Sequence, residues 1–132
     1  MAKVRSINTS PEIRLRKALF AHGYRFRLHE RDLPGTPDIV LAKYRAVIFV
    51  NGCFWHWHGC ARSRMPSSNV NYWVQKITRN KLRDKKNHKR LATLKWRVLV
   101  IWECALKPSC LRKNVDRVER WLNSSRFYSS IG

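Results

Sequence analysis

Acidic residues are scarce in this chain: across 132 residues, 8 Asp and Glu stand against 28 Lys and Arg, a net charge of +20 with His neutral. A charge excess of that size repels itself in a compact state, and a polyanion is the usual partner that relieves it. Long apolar runs are also missing, and none reaches the ~18 residues of a transmembrane candidate. The first residues, Met1-Ala2-Lys3-Val4-Arg5-Ser6, contain no apolar stretch of the secretory kind. A soluble, cytoplasmic protein with no membrane partner is therefore expected. No internal repeat or low-complexity tract breaks the chain, and 44% hydrophobic content spread along it argues against disorder. The length suits one domain with one real core.

Six tryptophans are interleaved with basic residues in several places. A membrane-surface helix would instead gather them on one long amphipathic segment. The pattern points to nucleic acid.

Local periodicity predicts the order α-β-β-β-α-β-α. Ser10-Pro11-Glu12 reads as an N-cap, a first-turn proline and a first-turn acid, and Gly23 as the stop of that helix. Residues 24–28 alternate with period two and read as a strand. Leu33-Pro34-Gly35-Thr36-Pro37 is a rigid turn; residues 38–41 and the fully apolar 46–50 follow as strands. A very basic helix is expected from about residue 71 to 94, with Trp73, Ile77, Leu91 and Leu94 inward. A buried strand at 97–101 and a last helix at 111–122 complete the reading. The fold class is α/β, a mixed sheet flanked by helices. The whole chain is one domain, with a short arm over residues 1–9 and a tail from about 124 to 132.

Cys53, His56, His58 and Cys60 form a C-x2-H-x-H-x-C run. A tetrahedral structural zinc site takes four N or S ligands. This run can supply three without crowding, and Cys104, just after the strand at 97–101, is well placed for the fourth. The set Cys53, His58, Cys60 and Cys104 leaves His56 over, although spacing barely separates the two histidines. Buried thiols are the alternative reading. Cys110 is a bystander.

With so few acids, the search for a catalytic one is short. Most lie in turns or on basic helices, where solvated charge or surface pairing explains them, and Glu103 sits beside a proposed ligand. Asp38 differs, because it follows a rigid turn at the start of a strand. A nuclease needs oxygen ligands for Mg²⁺ at such a place; a backbone-capping Asp is the alternative. Glu12 is the second acid of interest. His56, left over from the zinc set, could serve as a general base or be structural.

Three runs carry a resemblance: Leu33-Pro34-Gly35-Thr36-Pro37-Asp38, then 46–56 with Asn51-Gly52-Cys53-Phe54-Trp55-His56, then 96–106 with Val100-Ile101-Trp102-Glu103-Cys104-Ala105-Leu106. From about residue 7 to 106 the chain resembles the very-short-patch repair (Vsr) DNA mismatch endonucleases. The resemblance implies a restriction-endonuclease-like fold and a strand-specific nick 5′ to the T of a T:G mismatch left by 5-methylcytosine deamination. It implies Asp38 as Mg²⁺ ligand, with the backbone carbonyl of Val50 beside it, His56 as base, and Glu12 assisting the metal. It implies Cys53, His58, Cys60 and Cys104 as the zinc ligands, favouring His58. Phe54, Trp55 and Trp73 become aromatics that wedge into the duplex, where unstacking costs least at a mismatch. Arg79, Lys81 and Arg83, in the basic run at 79–90, would contact phosphates; a merely solvated helix face is the alternative.

Asn51 stands where a histidine is common in that family, Val50 where Thr occurs, and the arm before Ser10 is short. The expected cofactors are catalytic Mg²⁺ and structural Zn²⁺. The expected partners are mismatched double-stranded DNA and a MutL-type repair protein, with the enzyme itself a monomer. The competing readings are a zinc-containing DNA-binding module without catalysis and a nuclease of this fold with another DNA target.

Overall fold

The computed structural model describes residues 8–53 and 68–132. Helix α1 (Ser10–Ala21) leads into strands β1 (Arg27–Leu28), β2 (Ile39–Leu41) and β3 (Ala46–Asn51). Helix α2 (Val70–Thr93), β4 (Arg97–Trp102), α3 (Leu111–Leu122) and β5 (Tyr128–Ile131) follow. The strands form one sheet in the order β1-β2-β3-β4-β5. β1, β2 and β3 pair antiparallel; β3, β4 and β5 pair parallel. Each parallel step needs a crossover, and α2 and α3 provide them. The result is the mixed sheet flanked by helices that the sequence predicts.

Alternation along the strands divides the core into two layers. Ile39, Leu41, Ile48, Leu99 and Ile101 point to one face, where they meet Leu15 and Leu19 of α1 and Val115, Val118, Trp121 and Leu122 of α3. Val40, Val47, Phe49, Val98 and Val100 point to the other, against Leu91 and Trp96. β3 and β4 are apolar on both faces because helices cover both, as expected of a central parallel pair.

The structure departs from the sequence reading at several places. Thr9, not Ser10, caps α1, its hydroxyl accepting the Glu12 N–H at 3.4 Å. The alternating run 24–28 forms a strand only at Arg27–Leu28, because only those two residues find partners on β2. Leu94, expected inward, is exposed: it lies past the end of α2, and Leu91 and Trp96 fill the space above the sheet instead.

The segment read as a tail ends in β5, an edge strand alongside β4. Arg97 ties it there. Its guanidinium stacks 4.4 Å over the Trp121 ring and donates to the carbonyls of Trp121 (2.6 Å), Ser124 (2.9 Å) and Arg126 (3.0 Å). It also donates to the carbonyl of Leu122, the last residue of α3, at 3.2 Å, where the helix itself has no further N–H to offer. Among the described residues, no helix is long and apolar enough to cross a membrane.

Candidate active site

Glu12 is placed by the start of α1. The Thr9 cap and Pro11 fix the first turn, so the third helical residue turns inward and is almost fully buried, with 1% exposure. A carboxylate there also faces the positive end of the helix. Its Oε2 accepts from Arg16, one turn along, at 2.8 Å and from His29 Nε2 at 2.7 Å; Oε1 accepts the Asn8 N–H at 3.2 Å.

Asp38 is placed by the turn before β2. Gly35 adopts φ +80°, and a Cβ there would lie 3.1 Å from both Asn87 Cβ on α2 and Phe49 Cε1 on β3. Only glycine fits that conformation at such close approach. The turn closes through Thr36 N–H to the Leu33 carbonyl at 3.1 Å and delivers Asp38 to the end of β2. Across the sheet, the Val50 N–H donates to Asp38 Oδ2 at 2.7 Å.

Burial, against the pull of the Val50 hydrogen bond and with help from the charge of Glu12, pushes the Asp38 carboxyl up to about 7. That environment favours the neutral carboxyl, and a cation placed beside it would favour the charged one.

His29 completes the cluster. It follows β1 with φ 49°, and its N–H donates to the Asp38 carbonyl at 3.1 Å while its ring reaches Glu12. One ligand atom from each of Glu12, His29 and Asp38 lies within 4.8 Å of the others. Two carboxylates and an imidazole can hold a divalent cation. The sequence reading singled out the two acids that the structure brings together here, but not His29. Its signal is a histidine directly after a strand, which means nothing until β1 is paired with the strand that Asp38 begins.

Cys53 and Cys104 sit at the same end of the sheet. β3 and β4 run parallel with Asn51 opposite Trp102, so Cys53 and Cys104 each lie two residues past one paired rung. Cys53 is buried, and its N–H donates to Glu103 Oε1 at 3.4 Å. The Cys110 thiol reaches the carbonyls of Ala105 (3.4 Å) and Cys104 (3.6 Å), near the proposed ligand set. Phe54, Trp55, His56, His58 and Cys60 lie outside the described residues.

On α2, Trp73 is half-buried in the first turn, edge-on to Tyr72 at 5.0 Å. Arg79, Lys81 and Arg83 are exposed, whereas Ile77 and Leu91 face inward. Arg83 also donates to Asn80 Oδ1 at 2.6 Å. The helix thus offers basic side chains away from the core, on the same domain as the acidic cluster.

A family model described as DNA mismatch endonuclease Vsr matches residues 1–62. The chain is 53% identical over 106 residues to Type II nicking enzyme V.XorIIP of Xanthomonas oryzae, covering 80% of this chain and 78% of that protein. It is 43% identical over 121 residues to Type II nicking enzyme V.NmeAIP of Neisseria meningitidis, covering 91% and 86%. It is 39% identical over 125 residues to the DNA mismatch endonuclease Vsr of Escherichia coli, covering 92% and 80%. Identity at that level over most of both chains reflects common descent and a common fold, and the chain belongs to the Vsr family of DNA mismatch endonucleases.

Proposed function

We propose that this chain nicks one strand of duplex DNA 5′ to the T of a T:G mismatch, with Mg²⁺ at the Glu12–Asp38 cluster. The observation that carries the reading is the cluster itself: the buried Glu12 and the half-buried Asp38 present ligand atoms within 4.8 Å of each other and of His29 at one end of the sheet. Pure DNA binding gains nothing from two carboxylates facing a phosphate backbone. Relatives whose names specify mismatch endonuclease and nicking activity support the same conclusion.

The residues fit a hard cation. Among the described residues, the Val50 N–H occupies only Oδ2 of Asp38, so Oδ1 can face a ligand. In an extended strand the N–H and C=O of one residue leave the same edge; the Val50 carbonyl is thereby a reasonable further oxygen beside Asp38. When bound, Mg²⁺ would offset charge at the scissile phosphate and acidify a bound water.

The chain's own residues do the rest. Glu12 and Asp38 orient the site, and His56 accepts the proton of the attacking water. Arg79, Lys81 and Arg83 hold the phosphate backbone, and Phe54, Trp55 and Trp73 enter the base stack at the mismatch. A structural zinc on Cys53, His58, Cys60 and Cys104 would pin the segment carrying His56 to the end of β4, in the restriction-endonuclease-like arrangement. The enzyme acts as a monomer on DNA, with a MutL-type protein as its repair partner.

The test is an end-labelled duplex with a single T:G pair, beside its T:A counterpart, incubated with Mg²⁺. A Mg²⁺-dependent nick at the T of the mismatched duplex alone is expected. Asp38→Ala should abolish the nick while leaving or improving affinity. Equal cutting of both duplexes would sink the T:G assignment, and tight binding without any cut would sink catalysis. Zinc content, measured on purified protein, should fall in Cys104→Ala.

A further inference from the structure

We infer that His29 is a third protein ligand of the active-site cation, making the site a His-Glu-Asp triad that accepts Mn²⁺ more readily than a carboxylate-only site would. This rests on the metal reading above and adds a ligand and a metal preference to it.

Three observations converge on His29. Its Nε2 lies 2.7 Å from Glu12 Oε2, and the ligand atoms of Glu12, His29 and Asp38 fall within 4.8 Å of one another, from three separate parts of the fold. That spacing lets one ion touch all three after small side-chain rotations. Second, Glu12 does not need His29 for charge balance, because Arg16 already donates to the same oxygen at 2.8 Å. Third, His29 holds a left-handed backbone, φ 49°, while its N–H is tied to the Asp38 carbonyl at 3.1 Å. That backbone tie to the strand carrying Asp38 fixes where the ring starts. Here it aims a ring of only 18% exposure at the two acids.

On binding, the cation takes the place of the proton shared between Nε2 and Oε2, and that proton passes to Nδ1 of the same ring or to solvent. An imidazole nitrogen favours first-row transition ions over Mg²⁺, whereas carboxylates serve both.

The experiment uses Mn²⁺ as the probe on the full chain, read by pulsed electron paramagnetic resonance for nitrogen coupling and by titration for affinity. His29→Asn and His29→Gly are the variants, because both residues tolerate the left-handed backbone; His56→Ala is the nitrogen control. Wild-type and His56→Ala proteins should show nitrogen coupling to bound Mn²⁺, and both His29 variants should lose it. Their Mn²⁺ affinity should drop by about tenfold or more, with a smaller loss for Mg²⁺. Nitrogen coupling that survives in the His29 variants, or is absent from a wild type that binds Mn²⁺, overturns the ligand role. If Asp38→Asn abolishes Mn²⁺ binding while the His29 variants bind normally, the metal site stands and only the His29 inference falls. Failure of wild type to bind either ion overturns both.

Discussion

Asp38 and Val50 are joined by a 2.7 Å hydrogen bond from the Val50 N–H to Oδ2, linking the turn before β2 to the end of β3. That bond holds the carboxylate at the sheet end but does not compensate its burial next to Glu12, and the carboxyl is pushed up to about 7. The site is thereby organised before any ligand arrives, at a cost to the folded state.

That cost sets a pH dependence. Between about pH 4 and pH 7 the folded protein keeps a proton on Asp38 that the unfolded chain has released, so stability falls as pH rises through this window. The full effect is on the order of 4 kcal/mol. Urea unfolding of metal-free protein at pH 5 and pH 8 should show more than half of that loss, and Asp38→Asn should remove most of the difference while abolishing nicking. A wild-type stability that rises over that range would contradict the burial argument.

Glu12→Ala strips Arg16 and His29 of their shared acceptor. Thermal unfolding should report a loss of roughly 2–3 kcal/mol, near the low end for a broken buried pair because Arg16 keeps some solvent. Nicking should disappear along with it.

Gly35→Ala forces a Cβ into contact at 3.1 Å with Asn87 and Phe49, at φ +80°. A destabilisation of about 1 kcal/mol or more is expected. Because the turn carries Asp38, the nicking rate should fall more than DNA affinity, which a single-turnover assay beside a binding titration separates.

Arg97→Ala should loosen the end of α3 and β5 together, since one guanidinium holds the carbonyls of Trp121, Ser124 and Arg126. A cost of at least about 2 kcal/mol follows from losing charged hydrogen bonds. Hydrogen exchange should show faster exchange at residues 122–131, with the amides of α1 little changed.

Replacing Arg79, Lys81 and Arg83 by Ala should leave folding intact, because all three are exposed. Each one that contacts a phosphate should remove about 0.9 from the salt slope of log K. An unchanged slope would show that this part of α2 does not meet DNA.

The sequence by itself determined the elements whose order is local. The apolar runs at 46–50 and 97–101 became β3 and β4, and the last helix starts and ends where its periodicity does, at Leu111–Leu122. A buried strand or an amphipathic helix announces itself through side-chain spacing alone. Asp38 and Glu12 were also legible, because carboxylates are so few that each position has to be explained. Tertiary structure alone decided what depends on distant partners. Tyr128-Ser129-Ser130-Ile131 lacks the pattern of a buried strand and forms β5 only because β4 offers an open edge and Arg97 fastens the connection. Leu94 turned outward because Leu91 and Trp96 already filled the layer above the sheet. His29 became part of the acidic cluster only when β1 paired with β2, bringing it beside a residue nine positions later and another seventeen positions earlier. Local propensity cannot encode such pairings, because they arise from chain segments that meet only after the sheet has closed.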